Sequence, residues 1–404
     1  MESTRRNSGR EGPSLAFGTD KFLQDMRIVI NALSVYSGGG LVSLLELLPA
    51  LRELDNSNEY IIMMGKGHHK ITGTLPEGVR THVVSVKSRS VLIRILFEQL
   101  VLPFILWRIG ADWLYSPGNQ TVLLAPCRVL VLMENSNPYS RHPIAWNMRE
   151  RTRLYLLRVL ARLSCWRATK VRFLTENSCR ILSARLGIPK RKACIIPQGV
   201  KVHESSSENS AVGDSMPDHY VFTVSNVAPH KNIHCLMKGF DIFVQRSGYK
   251  GSLVIAGEVL YKGYFDTLMK LQNTLLSGER IEFLRWVDPK RLGFLYSRAD
   301  MFVFPSIEET FGMPVIEAMA YGVPVLASRV DDDCAECFIP FEEICGEAAV
   351  YFDPFDPEDL SAQMQRVCAD PQLRESLVVS GKARASEFSW LATAALLSRE
   401  FSSN

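Results

Sequence analysis

The chain alternates between short apolar runs and longer stretches whose apolar residues recur every three or four positions. Short runs rich in Val, Ile and Leu on both faces predict strands buried in parallel sheets, and the longer stretches predict the helices that cover them. The first unit reads strand, glycine turn, helix: RIVIN (Arg27–Asn31), SGGG (Ser37–Gly40), then LVSLLELLPALREL. Further runs, EYIIMMG, DWLYSPG, CRVLVLM, KVRFLT and ACIIP, continue the alternation toward residue 200. A Ser-rich stretch without periodicity, VKVHESSSENSAVGDSMP (Val200–Pro217), then interrupts it and reads as a linker. After it the pattern restarts with YVFTVSN, SLVIAG, RIEFLRWV, MFVFPS, PVLAS and AAVYFDP, and the chain turns helical from Pro357.

This pattern predicts an α/β protein of two doubly wound, Rossmann-like domains, with ligands in the cleft outside the carboxyl ends of the strands. The expected divisions are a disordered leader over 1–20, a first domain over 21–200, a linker over 201–217, a second domain over 218–388, and a C-terminal helix over 389–404 that packs back on the first domain.

Composition narrows the class. With 404 residues, 47% apolar and 22% charged, the chain has the balance of a soluble globular protein and suits two domains. Nine cysteines without paired spacings point to a reduced, cytoplasmic chain, and the polar first twenty residues do not read as a signal peptide. Cys334 and Cys337 form a Cys-x-x-Cys with no second pair or histidine at zinc spacing, so no metal site is expected there. The most apolar stretch, VLIRILFEQLVLPFILW (Val91–Trp107), is broken by Arg94, Glu98 and Pro103 and reads as a buried or interfacial helix rather than a span.

The net charge of +3 conceals an asymmetry: residues 1–200 hold 28 Lys and Arg against 14 Asp and Glu, and the remainder 18 against 29. The basic excess concentrates in Arg151–Arg172 (RTRLYLLRVLARLSCWRATKVR). This stretch reads either as a solvated helix with one face on the core or as a helix lying on an anionic membrane. Nucleic-acid binding is not expected, because no binding motif accompanies the charge.

The densest chemistry lies in FPSIEETFGMPVIEAMAYG (Phe304–Gly322), where Glu309 and Glu317 stand on either side of a Phe-Gly-Met-Pro turn at the mouth of a helix. The unpaired N–H groups of a helix mouth attract an anion. Carboxylates accept hydrogen bonds from paired hydroxyls, so the pattern suits a diphosphate flanked by polyols. Glu308 adjoins Glu309, but only Glu309 fits the seven-residue separation from Glu317. Lys231, at the start of a helix after a strand, is a second phosphate candidate. The glycine turn does not carry the nicotinamide-dinucleotide spacing, and EYIIMMGK ends without an acidic ribose reader, which excludes the simplest dehydrogenase.

VFPSIEETFGMPVIEAMAYGVPVLAS closely resembles the signature of the family 4 glycosyltransferases of the GT-B type, also called glycosyl transferases group 1. VSNVAPHKNIHCLMKGF, LGFLYSRADMFVFPS, EAAVYFDPFDPEDL and FSW match further segments of that family. The resemblance implies the GT-B architecture and a retaining, metal-independent hexosyl transfer from a nucleotide-diphosphate sugar to a glycan or lipid-linked glycan, as in bacterial surface polysaccharide synthesis. No cofactor or metal is expected.

By resemblance, Lys231 stabilises the leaving diphosphate, Glu309 reads the hexose and Glu317 the ribose, and backbone near Phe311, Gly312 and Met313 faces the diphosphate or sugar. Asn226 stands where the family carries Arg, with His230 or another basic residue as its substitute, or with weaker donor binding. Gly39 and Gly40, with Gly38, would let backbone approach the donor or acceptor from the opposite domain. Glu134 and Asn135 are the acceptor-side candidates, with His142 further on, and IIPQGV (Ile195–Val200) resembles the family's domain junction. Asp331, Asp332 and Asp333 satisfy an Asp-x-Asp pattern but are expected to be a loop. A glucan synthase, a sugar-nucleotide epimerase or a catalytically silent partner subunit remain as alternatives.

Overall fold

The computed structural model describes residues 25–35, 39–66, 75–85, 91–139, 148–202, 216–330 and 338–403. In chain order the first half runs β1 (Arg27–Asn31), α1 (Gly39–Leu54), β2 (Glu59–Gly65), β3 (Arg80–Val84), α2 (Val91–Leu100), α3 (Leu102–Ile109), β4 (Trp113–Pro117), β5 (Arg128–Leu132), α4 (Met148–Arg167), β6 (Lys170–Phe173), α5 (Glu176–Leu186) and β7 (Ala193–Ile195). The second half runs β8 (Tyr220–Val224), α6 (Ile233–Ser247), β9 (Ser252–Ala256), α7 (Lys262–Gln272), β10 (Ile281–Leu284), α8 (Pro289–Arg298), β11 (Met301–Phe304), α9 (Met313–Tyr321), β12 (Val325–Ser328), α10 (Phe341–Cys345), β13 (Val350–Phe352), α11 (Pro357–Ala369), α12 (Pro371–Ser386) and α13 (Trp390–Ser402).

Two parallel sheets result, ordered β3-β2-β1-β4-β5-β6-β7 and β10-β9-β8-β11-β12-β13. Helices cover both faces, so the strands must be apolar on both sides: Ile28, Val29 and Ile30 of β1 are all fully buried. Each sheet reverses its winding once, between β1 and β4 and between β8 and β11. Such reversals open crevices at the carboxyl ends of the strands. Asn31, Pro117, Val224 and Phe304 end the four strands that flank them.

The halves are tied together at their junction. Gly199 lies so close to Trp390 that a Cβ there would stand 2.3 Å from the Trp390 backbone nitrogen, which only glycine tolerates. Helix α13 packs along α1. Its last turn receives hydrogen bonds from Trp113 Nε1 to the Phe401 carbonyl (2.9 Å) and from Arg128 to the Ser403 carbonyl (2.9 Å).

The basic stretch corrects the sequence reading. Helix α4 ends at Arg167, and Arg172 lies in β6, 1% exposed. Arg172 donates to the Ile196 carbonyl (2.9 Å), the Pro197 carbonyl (3.0 Å) and the Tyr115 hydroxyl (2.8 Å), so it holds the interdomain junction and cannot face a membrane. Arg158 and Arg167 also turn inward, to the Pro138 carbonyl and to the carbonyls of Ala125 and Cys127. Pro103 divides the apolar stretch into α2 and α3, sitting in the first turn of α3 where a missing N–H costs little. Among the described residues no helix is long and apolar enough to cross a membrane.

Candidate active site

The carboxyl end of β8 leads through exposed Asn226 and a 3-10 turn, Pro229–Lys231, into α6. The carboxyl end of β11 leads through residues 305–312 into α9. These loops are stitched together: the His230 carbonyl accepts from the Ile307 N–H (2.9 Å) and the Ser306 hydroxyl (3.2 Å). The stitching delivers Lys231 to Glu309, and their side chains, each 15% exposed, form an ion pair. The ammonium also lies 5.6 Å from the centre of the Phe304 ring. Burial, and then the neighbouring Lys231, push the His230 imidazole down to about 3, so it is neutral at physiological pH. It therefore cannot supply the charge missing at Asn226. Its Nδ1 is buried without a hydrogen-bond partner.

Gly312 caps α9 with φ of 94°, and a Cβ there would stand 2.6 Å from Phe341 Cε1. No side chain caps α9; Pro314 brings no N–H and the Val315 N–H bonds the Gly312 carbonyl at 3.0 Å, so the mouth offers an anion the N–H groups of Gly312 and Met313. Glu317 lies one turn further in, half-buried, and accepts from the Tyr296 hydroxyl at 2.8 Å. Burial pushes its carboxyl up, and the Tyr296 bond partly offsets this. Phe311 is buried, its ring 5.7 Å from that of Phe388, so its side chain serves packing. Met313 points across the cleft, its Sδ 4.0 Å from the Ser43 hydroxyl on α1. Glu308 is buried and its carbonyl accepts from Ser306 at 3.2 Å.

In the first domain, Glu134 and Asn135 follow β5. The Glu134 carbonyl accepts from the Thr310 hydroxyl at 2.6 Å, which sets this strand end directly against the loop carrying Glu309. Burial pushes the Glu134 carboxyl up, with Arg172 acting in the opposite sense. A cavity of about 310 Å³ opens beside it, lined among others by Asn31, Arg94, Glu98, Asn119, Glu134 and Arg153. Glu98 is buried, accepts from Asn31 Nδ2 at 3.2 Å, and is likewise held above the usual carboxylate range by burial.

The structure pairs Lys231 with Glu309, sets the loop that carries Glu309 against the Glu134 carbonyl, and places Gly312, Met313 and Glu317 at and within the following helix, while Asn226 and Asn135 stand exposed. Gly39 and Gly40 differ from expectation: they are the first residues of α1 rather than a loop, and neither has a left-handed backbone. Gly40 still lines the cavity. Gly38, His142, Asp331–Asp333, Cys334 and Cys337 fall outside the described residues. Sequence reasoning missed Glu98, Arg94 and Arg153. The signal for the first two was present, as charged residues inside an apolar run at helical spacing, which mark an inward polar face as readily as a broken span.

Comparison with known proteins decides the family of this site. Residues 207–384 match the model described as glycosyl transferases group 1. Residues 207–384 thus carry a domain of the group 1 glycosyltransferase type. The group 1 segment also resembles O-antigen chain mannosyltransferase B of Escherichia coli, 32% identical over 174 residues that cover 42% of each protein. The match thus spans less than half the length of that curated relative. Across nearly the whole chain the fold resembles sucrose-phosphate synthase from Thermosynechococcus elongatus, with a TM-score of 0.70, 18% identity, and coverage of 93% of this chain and 98% of that one. Anabaena Alr3699/HepE in complex with UDP and glucose aligns with a TM-score of 0.69, 15% identity, and coverage of 94% and 100%. The chain therefore has the GT-B architecture, two Rossmann-like domains facing across a cleft.

Proposed function

We propose that the chain transfers a hexose, with retention of anomeric configuration and without a metal, from a nucleotide-diphosphate sugar to a glycan or lipid-linked glycan in bacterial surface polysaccharide synthesis. The observation that carries this reading is the Lys231–Glu309 pair beside the uncapped mouth of α9, with Glu317 one turn behind it. The mouth and the ammonium suit the two phosphates, the neutral His230 offers a further polar contact, and the two carboxylates accept from hexose and ribose hydroxyls. The mannosyltransferase name of the O-antigen relative supports a hexose and a surface-glycan acceptor. As departing diphosphate frees an oxygen, that oxygen can take the acceptor hydroxyl's proton, so no protein nucleophile is required. Glu134, opposite the donor loop, is positioned to orient the acceptor. The remaining outward arginines of α4 support peripheral attachment to an anionic membrane on the cytoplasmic side.

A thermal-shift screen of nucleoside diphosphates and their sugars tests the donor: one base is expected to raise Tm, because a ligand that binds only the native state stabilises it. Transfer is expected to proceed unchanged in EDTA, and NMR of the product to show the donor's anomeric configuration. Loss of transfer in EDTA, or an inverted product, would remove the corresponding half of the reading.

Glu317→Gln separates a ligand reader from a helix ornament. The carboxyl is raised by burial in the folded chain, so its ionised form costs stability above its folded pKa, and that cost vanishes below the usual value of 4.5. The variant is therefore expected to melt higher than wild type near neutral pH, with the gain fading as pH falls toward 4.5, while nucleotide affinity drops roughly tenfold or more. A gain in Tm with unchanged nucleotide affinity would assign Glu317 to the fold alone.

A further inference from the structure

Outside the cleft, the first domain carries an apolar surface that its own packing does not cover. Ile93, Leu96 and Leu100 of α2 and Phe104 and Trp107 of α3 fall on one side of the two consecutive helices, each at least 51% exposed. Phe104 and Trp107 lie against one another with ring centres 5.8 Å apart. A second exposed apolar row, including Tyr155, Leu163 and Trp166, runs along α4. The connection between β4 and β5 joins the two. Gln99 of α2 clasps it through the Thr121 carbonyl (3.1 Å) and the Leu123 N–H (2.9 Å). From the other side, the Ser164 hydroxyl of α4 accepts from the Thr121 N–H at 3.0 Å. Between these clasps Leu124 stands 74% exposed. Patches of this extent on a soluble chain mark an interaction surface.

We infer that this α2–α3–Leu124–α4 face inserts its side chains into the headgroup boundary of an anionic bilayer and presents the cleft to a lipid-linked acceptor. The charge is complementary: residues 151–167 contain five arginines and no acidic residue, and Arg151 and Arg162 are exposed. With 10 and 8 residues, α2 and α3 have the length to lie on a bilayer and not to span it. The same helices build the cavity of the cleft, Arg94 and Glu98 from α2 and Arg153 and Leu157 from α4. A glycan headgroup can thus occupy the cavity while its lipid stays in the membrane against the outer faces of those helices. The inference rests on the proposed lipid-linked acceptor and adds to it the docking face and the route of entry.

Co-sedimentation of the full chain with phosphatidylcholine vesicles, with and without phosphatidylglycerol, tests the inference. Binding is expected to the anionic vesicles. The combined variant Leu100→Glu, Phe104→Glu, Trp107→Glu is expected to lose at least tenfold in partitioning, with an unchanged Tm and an unchanged thermal shift by the preferred nucleoside diphosphate. Arg151→Ala with Arg162→Ala is expected to lose the preference for anionic lipid. Vesicle binding by the triple variant equal to that of wild type overturns the inference. So does a wild-type chain that ignores both vesicles, or one that self-associates through this face and is made monomeric by the triple variant. Failure of the nucleotide shift, with vesicle binding intact, would count instead against the transferase reading.

Discussion

Lys231→Ala is expected to lower kcat/KM for sugar transfer about a hundredfold, the scale seen when one donor to a developing negative charge is removed from a water-poor site. The ammonium is 15% exposed, so little solvent screens it, and it stands at the start of α6 beside the mouth of α9. The same change leaves Glu309 without its partner and should cost roughly 1–3 kcal/mol of stability. These two effects can be separated. The double variant Lys231→Ala, Glu309→Ala removes the unpaired charge and should recover much of the lost Tm, whereas transfer should stay at least as low as in Lys231→Ala. Steady-state kinetics and melting curves on the four members of this cycle decide it. Recovery of transfer together with Tm would reduce Lys231 to a structural partner of Glu309.

The sequence was most informative where one local pattern fixes one local structure. Buried strands such as Arg27–Asn31 show apolar residues on both faces, and the glycine before Met313 marks a backbone turn that the structure realises at φ of 94°. Both glutamates of the signature were visible because their spacing is local to one loop and helix. Long-range events were not visible. Nothing near Glu309 announces that Lys231, 78 residues away, will pair with it. Nor does the neighbourhood of Glu317 indicate that Tyr296 will supply its hydrogen bond and help bury it. The cavity was missed for the same reason, since Asn31, Glu98 and Glu134 come from separate elements that only the sheet order brings together. Arg172 was read in two ways, within the strand run KVRFLT, as the structure has it, and as the end of the basic helix, because it follows a run of arginines at helical spacing; the β-branched and aromatic residues beside it, Val171 and Phe173, belong to the strand.

That residue carries the largest expected effect on stability. Arg172→Met should destabilise the first domain by about 3–5 kcal/mol, since each buried acceptor left without its donor costs roughly 1–3 kcal/mol. Three oxygens depend on this guanidinium, those of Ile196, Pro197 and Tyr115, and the two carbonyls belong to the junction that leads into the second domain. Tyr115→Phe removes one of the three acceptors and should cost less, about 1.5–3 kcal/mol, the scale of one hydrogen bond to a charged group. The change also reaches the cleft, because Arg172 is the influence that opposes the burial-driven rise of the Glu134 carboxyl. Without it the carboxyl rises further and less of it is ionised at a given pH. If ionised Glu134 orients the acceptor, the acidic limb of the pH–rate profile should move to higher pH in Arg172→Met and activity should recover partly as pH is raised. Measured well below the melting range of the variant, an acidic limb that stays in place would confine Arg172 to holding the junction and would remove Glu134 from the acceptor side.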